Sequence, residues 1–275
     1  MRGTESRLPF VEIEESPLLP GASPARIYYR EFGSGPAFIF LHGGWGYSIY
    51  PFDRQIEAFG KQFCLIIPDR TGYGRSMRVN EWPVDFHARA AEEVIRMLDA
   101  LEIDRAIFWG HSDGAVISAL LGIKHPERCR GIILEAFHFF RRKPGSRDFF
   151  DRMSRSPDLL GQRVTGTLSS EHGADYWRKL IVLNGLAWLK IDDESTRDGQ
   201  DLYDEKLGSL RSPTLMIHGD RDPRTEPGEL EAALSQSPQI QLHMIAGAGH
   251  SPHNEPSFAE ETVRVAREFL AKIPD

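Results

Sequence analysis

The sequence predicts an α/β protein: a mostly parallel central sheet, helices on both of its faces, and a helical lid inserted between two strands. Three observations lead there. Continuous apolar runs of strand length, such as Ala37-Phe38-Ile39-Phe40-Leu41 and Ile132-Ile133-Leu134, alternate with helix-patterned segments. Strands covered on both faces read as unbroken apolar runs of this kind. The alternation stops at Phe139 and resumes after Ser212, too long a gap for a plain connection. Finally, Gly110-His111-Ser112-Asp113-Gly114 reads G-x-S-x-G between an apolar run and a helix-compatible one, the setting in which a sharp strand-to-helix turn exposes a serine.

In chain order, Val11 to Glu15 and Arg26 to Glu31 read as strands, and Gly33-Ser34-Gly35-Pro36 as a turn. The strand Ala37 to Leu41 follows, ending in His42-Gly43-Gly44-Trp45-Gly46. Pro51 to Phe59 suits a short helix, and Phe63 to Ile67 a buried strand ending in Pro68-Asp69-Arg70. Pro83 to Leu101 is the clearest helix, because Ala91, Val94, Ile95, Leu98 and Leu101 recur at helical spacing. The serine strand and its helix come next, then a strand from Cys129 to Ala136. Within the 139–212 insertion a helix is predicted from about Ala174 to Lys190. It is apolar almost all round, so several of its faces must be covered. Strands at Thr214 to Ile217 and Ile240 to Ile245, each followed by a helix (Glu226 to Leu234, Glu260 to Lys272), complete the pattern. The division expected is therefore a core of 1–138 and 213–275 with a lid of 139–212.

The chain has 275 residues, 40% hydrophobic and 27% charged, with a net charge of -7. That is ordinary for a soluble globular protein. The basic trio Arg141-Arg142-Lys143 reads as a solvated loop, so nucleic acid is not an expected partner. The two cysteines, Cys64 and Cys129, lie in or beside apolar runs and read as buried reduced thiols. Met1 to Arg7 has no apolar leader segment and no run approaches membrane-spanning length. The expectation is a cytoplasmic protein without a membrane partner. No metal-ligand spacing, P-loop or strand-associated GxGxxG is present, so no metal or cofactor is expected.

Every chemically interesting residue falls just after a predicted strand: His42-Gly43-Gly44, Asp69-Arg70, Ser112, Asp222 and His250. In a parallel sheet the strand carboxyl ends share one edge, where ligands bind, so these distant segments should meet. A serine hydroxyl is a weak nucleophile and needs an adjacent base. Histidine fits, held in the right tautomer by a carboxylate. Ser112, Asp222 and His250 supply these in the order Ser…Asp…His.

On these residues, from about Arg26 to Leu270, the chain resembles the α/β-hydrolase fold enzymes, whose nucleophile, acid and base follow in that order. The Ser112-Asp113-Gly114 elbow, the turn His218-Gly219-Asp220-Arg221-Asp222-Pro223 and the lid helix opening with Asp175-Tyr176-Trp177 are most similar to the valacyclovir-hydrolase (biphenyl-hydrolase-like) group.

The resemblance implies a serine hydrolase acting on a small carboxylic ester or related acyl substrate, with Ser112 as nucleophile, His250 as base and Asp222 as acid. Asp220 and Glu135 are rival acids, and His253 and His243 rival bases, His253 as a residue of the rim. The oxyanion hole implied is the backbone N–H of Asp113 with that of Gly44, or else of Trp45. His42 and Asp69-Arg70 are expected to support that loop. Trp45, Trp177 and Trp188 are the expected substrate contacts. The Asp113 side chain has two open readings: an acid accepting N–H bonds at a helix start, or, as in the valacyclovir-hydrolase-like group, the partner of a substrate α-ammonium. Carbon–carbon bond hydrolases, perhydrolases and peptidases keep the serine and stay open too. So does a hydrolase-fold receptor that binds without turnover.

Overall fold

The computed structural model describes residues 10–274; the reading of Met1 to Arg7 lies outside them. Strands β1 (Phe10–Ile13), β2 (Ala25–Gly33), β3 (Ala37–Leu41), β4 (Cys64–Pro68), β5 (Ala106–His111), β6 (Cys129–Glu135), β7 (Thr214–Gly219) and β8 (Gln241–Ile245) form one 8-stranded sheet in the order β1-β2-β4-β3-β5-β6-β7-β8. From β4 to β8 across that order all neighbours are parallel; β2 joins β4, and β1 joins β2, antiparallel.

The unbroken apolar runs are explained by two cores, one on each face. Successive side chains of a strand point to opposite faces. Phe38 and Phe40 of β3 pack with Trp109 of β5 against α1 (Asp53–Phe59) and α8 (Ala259–Leu270), through Phe59 and Phe269. Ile39, Leu41 and Phe108 face the other way, toward α2 (Phe86–Ala100) and α3 (Asp113–Lys124). A strand with water on one side would alternate apolar and polar residues; β3 and β5 do not.

The 139–212 segment folds as α4 (Pro144–Arg155), α5 (Gln162–His172) and α6 (Trp177–Asp193), with short 3-10 turns; α7 (Glu229–Gln236) then lies between β7 and β8. The sequence reading placed only α6, and started it near Ala174. The Gly173-Ala174-Asp175 stretch is instead a turn into the helix. The near-total apolarity of α6 is accounted for by burial of Trp177, Leu180, Ile181, Ala187, Trp188 and Ile191, leaving Leu186 exposed.

Two expectations are corrected here. Lys143 is not solvated: it is 1% exposed, its Nζ bonded to Glu229 and to the Arg224 carbonyl. Burial depresses its pKa and Glu229 opposes that. Of the trio, only Arg141 and Arg142 remain half-exposed, paired with Asp204 and Asp198. Cys129 is buried, its thiol pushed up to about 12 by burial, whereas Cys64 is only half-buried.

Candidate active site

The site begins at the turn between β5 and α3. Ser112 holds a positive φ of 55°, a conformation that costs a non-glycine residue about 1–3 kcal/mol. Its own N–H, bonded to the Glu135 carbonyl at 2.9 Å, fixes it there. The flanking glycines are needed for contact. A Cβ on Gly110 would strike the Gly114 carbonyl, and one on Gly114 the Leu41 carbonyl.

The loops after β7 and β8 bring the other two residues. His250 Nδ1 lies 2.9 Å from both Asp222 carboxylate oxygens. A carboxylate only accepts, so Nδ1 carries the proton and Nε2 presents a lone pair. Burial works to raise the Asp222 carboxyl, but His250 charge, the hydrogen bonds and His218 outweigh it and hold it well below the usual carboxylate range. The rival groups have other partners. Glu135 accepts from the His253 ring (2.8 Å) and amide (2.9 Å) and from Trp109 Nε1 (2.8 Å). His253 is therefore not a rim residue but fully buried beneath the site. Asp220 accepts the Gly247 N–H at 2.6 Å and so ties two loops together. His243 pairs with Glu261.

One neighbour was not foreseen. The only hydrogen-bond partner of the Ser112 hydroxyl among the described residues is His138, whose Nε2 lies at 3.3 Å. The ring stacks on His250 with centroids 5.8 Å apart and meets Trp188 edge-on at 5.2 Å. Burial, with Lys143 and His250, pushes its pKa well below the ordinary value, so the ring is neutral. Its Nδ1 is buried without a partner. A buried orphan donor costs more than an under-used acceptor, which puts the proton on Nε2, donating to Ser112. His138 follows β6 just as the other site residues follow their strands, and that rule could have found it.

Gly44 and Asp113 both border the cavity, and neither amide is used in a turn or cap hydrogen bond. The loop carrying Gly44 is held from two sides. From the core, Arg70 Nη2 donates to the Gly43 carbonyl at 3.0 Å, and the Arg70 N–H donates to His42 Nε2 at 3.3 Å. From the insertion, Asn184 donates to the Gly44 carbonyl while accepting from Tyr73. His172 Nε2 bonds the Trp45 carbonyl at 3.1 Å, and Glu171 accepts the N–H groups of Tyr47 (2.8 Å) and Ser48 (2.9 Å). Burial lifts the Glu171 carboxyl to about 7.

Ser112 and His250 border a cavity of about 150 Å³. The insertion supplies Phe149, Phe150, Met153 and Trp188 to its walls. Trp45 borders it as well, stacked on Phe149 with centroids 5.9 Å apart. Trp177 is not among the residues that line it: the ring is buried, with Arg178 over one face. Among the described residues the Asp113 carboxylate accepts no helix-start N–H. Instead its Oδ1 accepts from His87 Nε2 at 3.2 Å and Trp188 Nε1 at 3.1 Å. It thereby ties α3 to the insertion, and these donors hold its pKa down against burial.

No group of side chains suited to a metal ion and no helix long and apolar enough to cross a membrane occurs among the described residues.

Comparison with known proteins places this geometry. The mouse protein named serine hydrolase BPHL is 24% identical over 249 residues, spanning 89% of this chain and 82% of that one. A pimeloyl-[acyl-carrier protein] methyl ester esterase of Yersinia enterocolitica is 25% identical, over 82% of this chain and 91% of its own length. The solved structure of a thermophilic esterase from Thermogutta terrifontis superposes with a TM-score of 0.70 at 21% identity, covering 96% of this chain and 98% of that one. The sequence pattern of the alpha/beta hydrolase family matches residues 38–265, from the strand before the glycine loop to the last helix, and the chain belongs to that family.

Proposed function

We propose that the protein is a serine hydrolase that cleaves a small carboxylic ester through an acyl-enzyme. The observation that carries the reading is the joint placement of a strained Ser112 and an Asp222-held His250 on one small cavity. At rest the Ser112 hydroxyl accepts from His138. For reaction it turns to the lone pair of His250 Nε2, which takes its proton as Oγ attacks the ester carbonyl. The Gly44 and Asp113 amides receive the oxyanion. Collapse expels the alcohol, which takes the proton from His250. Water then attacks the acyl-enzyme, His250 again accepting a proton, and the acid leaves with Ser112 restored. Asp222 keeps the imidazole in this tautomer and stabilises its charged form. The 139–212 helices act as a lid, with Trp45 and Trp188 among the walls that touch the substrate. Two of the relatives are named as a serine hydrolase and a methyl ester esterase, which supports this class.

The test is a chromogenic ester panel of graded acyl length, run with Ser112→Ala and His250→Ala. Each substitution is expected to lower kcat/KM by about 10³-fold or more, by similar amounts because the groups act as a unit. A folded Ser112→Ala protein with near wild-type turnover overturns the reading.

A further inference from the structure

The cavity carries one charge of each sign, and only one of them is hydrogen-bonded through its side chain. Asp113 has donors from His87 and Trp188. Arg224 has none. Its guanidinium lies over the Phe149 ring, 3.2 Å from the centroid. Phe149 stacks on Trp45, Trp45 on Tyr50, and Tyr50 meets His250 edge-on. Arg224 and His250 both border the cavity, and the Arg224 N–H bonds the Asp222 carboxylate that holds His250, so Arg224 reaches the cavity from the His250 side, the side from which a leaving alcohol collects its proton. Among the described residues its side chain has no hydrogen bond or ion pair.

The main chain shows that this side chain is not there to hold the loop. The Arg224 N–H donates to Asp222 Oδ1 at 2.8 Å, and its carbonyl accepts from Lys143 Nζ at 2.9 Å. Both anchors are backbone and independent of the guanidinium. The residue is half-buried, and burial lowers its pKa, to about 10, with Asp222 and Tyr50 opposing and Arg152 adding to the effect. Arg163 acts on nearby Tyr50 in the same sense. Neither Arg152 nor Arg163 has a carboxylate partner among the described residues. A planar guanidinium pre-placed on an aromatic face matches a carboxylate with two parallel N–H···O bonds.

We propose that the substrate carries a carboxylate on its leaving-group side, bound by Arg224. This rests on the ester-hydrolase reading of the site and narrows it to anionic esters.

The matched pair 4-acetoxybenzoate and 4-acetoxybenzamide tests it, each rate divided by the uncatalysed rate. The wild type should favour the carboxylate by roughly 10- to 100-fold in kcat/KM, the range of a charged hydrogen-bonded pair. In Arg224→Gln the ratio between the two esters should fall to within about threefold of unity. A wild type without the preference, or an Arg224→Gln protein that keeps it, overturns the proposal. Binding of 4-hydroxybenzoate and 4-hydroxybenzamide to the Ser112→Ala protein, measured by calorimetry, reads the same preference without turnover. Tighter binding of the carboxylate by tenfold or more supports the anion site even if neither ester is hydrolysed, the result that would sink the hydrolase reading instead. Equal binding overturns the anion site.

Discussion

The carboxyl edge of the sheet and the helical segment that covers it are built on different principles. At the edge, each side chain of the site follows a strand, and Ser112 and Asp222 follow strands buried on both faces. The serine, the paired acid and base, and the glycine loop are held by β5, β7, β8 and β3. In the 139–212 segment, side chains are placed by helix-on-helix packing, α4 against α6, and by single polar contacts to the loops beneath. The first kind of construction tolerates strain, as the φ of Ser112 shows. The second sets cavity shape. Substitutions in the two regions should accordingly fail in different ways.

The sharpest contrast lies within the edge, between two of its buried carboxylates. Asp222→Asn should lower kcat by about 10⁴-fold with little loss of fold, because an amide stabilises the wrong imidazole tautomer. Glu135→Gln removes the charge opposite His253 and turns one of the two acceptor oxygens that serve His253 and Trp109 into a donor; it should cost about 3–5 kcal/mol of stability, with activity per folded molecule within tenfold of wild type. Urea titration beside ester kinetics separates the two. A greater kinetic loss from Glu135→Gln would move the acid to β6.

The next contrast lies within the insertion. Trp177→Ala should cost about 3–5 kcal/mol by opening a void in packing and leave relative rates across the ester panel unchanged. Trp188→Ala should shift those relative rates by about tenfold or more, since its ring is a wall and its Nε1 holds Asp113. Identical selectivity in both variants would erase the distinction between wall and packing.

The smallest effect joins the two regions. Glu171 has its carboxyl raised to about 7 by burial. A carboxyl raised in the folded state favours the protonated protein, so its contribution is full below the unfolded pKa and is lost as pH rises toward 7. Stability should fall across that window by an amount on the order of 3 kcal/mol. Glu171→Gln should flatten the profile, as read by thermal melts from pH 4.5 to 7.5. An unchanged slope would assign the pH dependence to other groups.

How much of this was legible depended on which rule governed each region. Buried parallel strands write themselves as unbroken apolar runs, and a site on their common edge can be read one strand end at a time. Ser112, Asp222 and His250 are singled out that way. His138 was missed only because the apolar Phe137 and Phe139 beside it drew the boundary of the insertion through the same spot. Helices α4 and α5 were not legible, because they carry many polar residues and bury few apolar ones. The burial of Lys143 was hidden for a different reason. Its partner Glu229 is 86 residues away, and no local pattern announces a long-range ion pair. Trp177 and Trp188 look alike in sequence. Eleven positions along α6 put one on the cavity and the other in packing, a difference set by tertiary contacts alone.

The polar grip of Asn184, His172 and Glu171 on residues 44–48 bears on how such a protein can change its substrate. The roof of the pocket and the loop proposed to receive the oxyanion are mechanically one part. Single exchanges at Phe149, Met153 or Trp188 reshape the roof and leave the grip alone. Grafting a whole foreign roof would release the loop, so new specificities in this lineage are most accessible by point changes on existing helices, and wholesale replacement must bring its own three-point clasp.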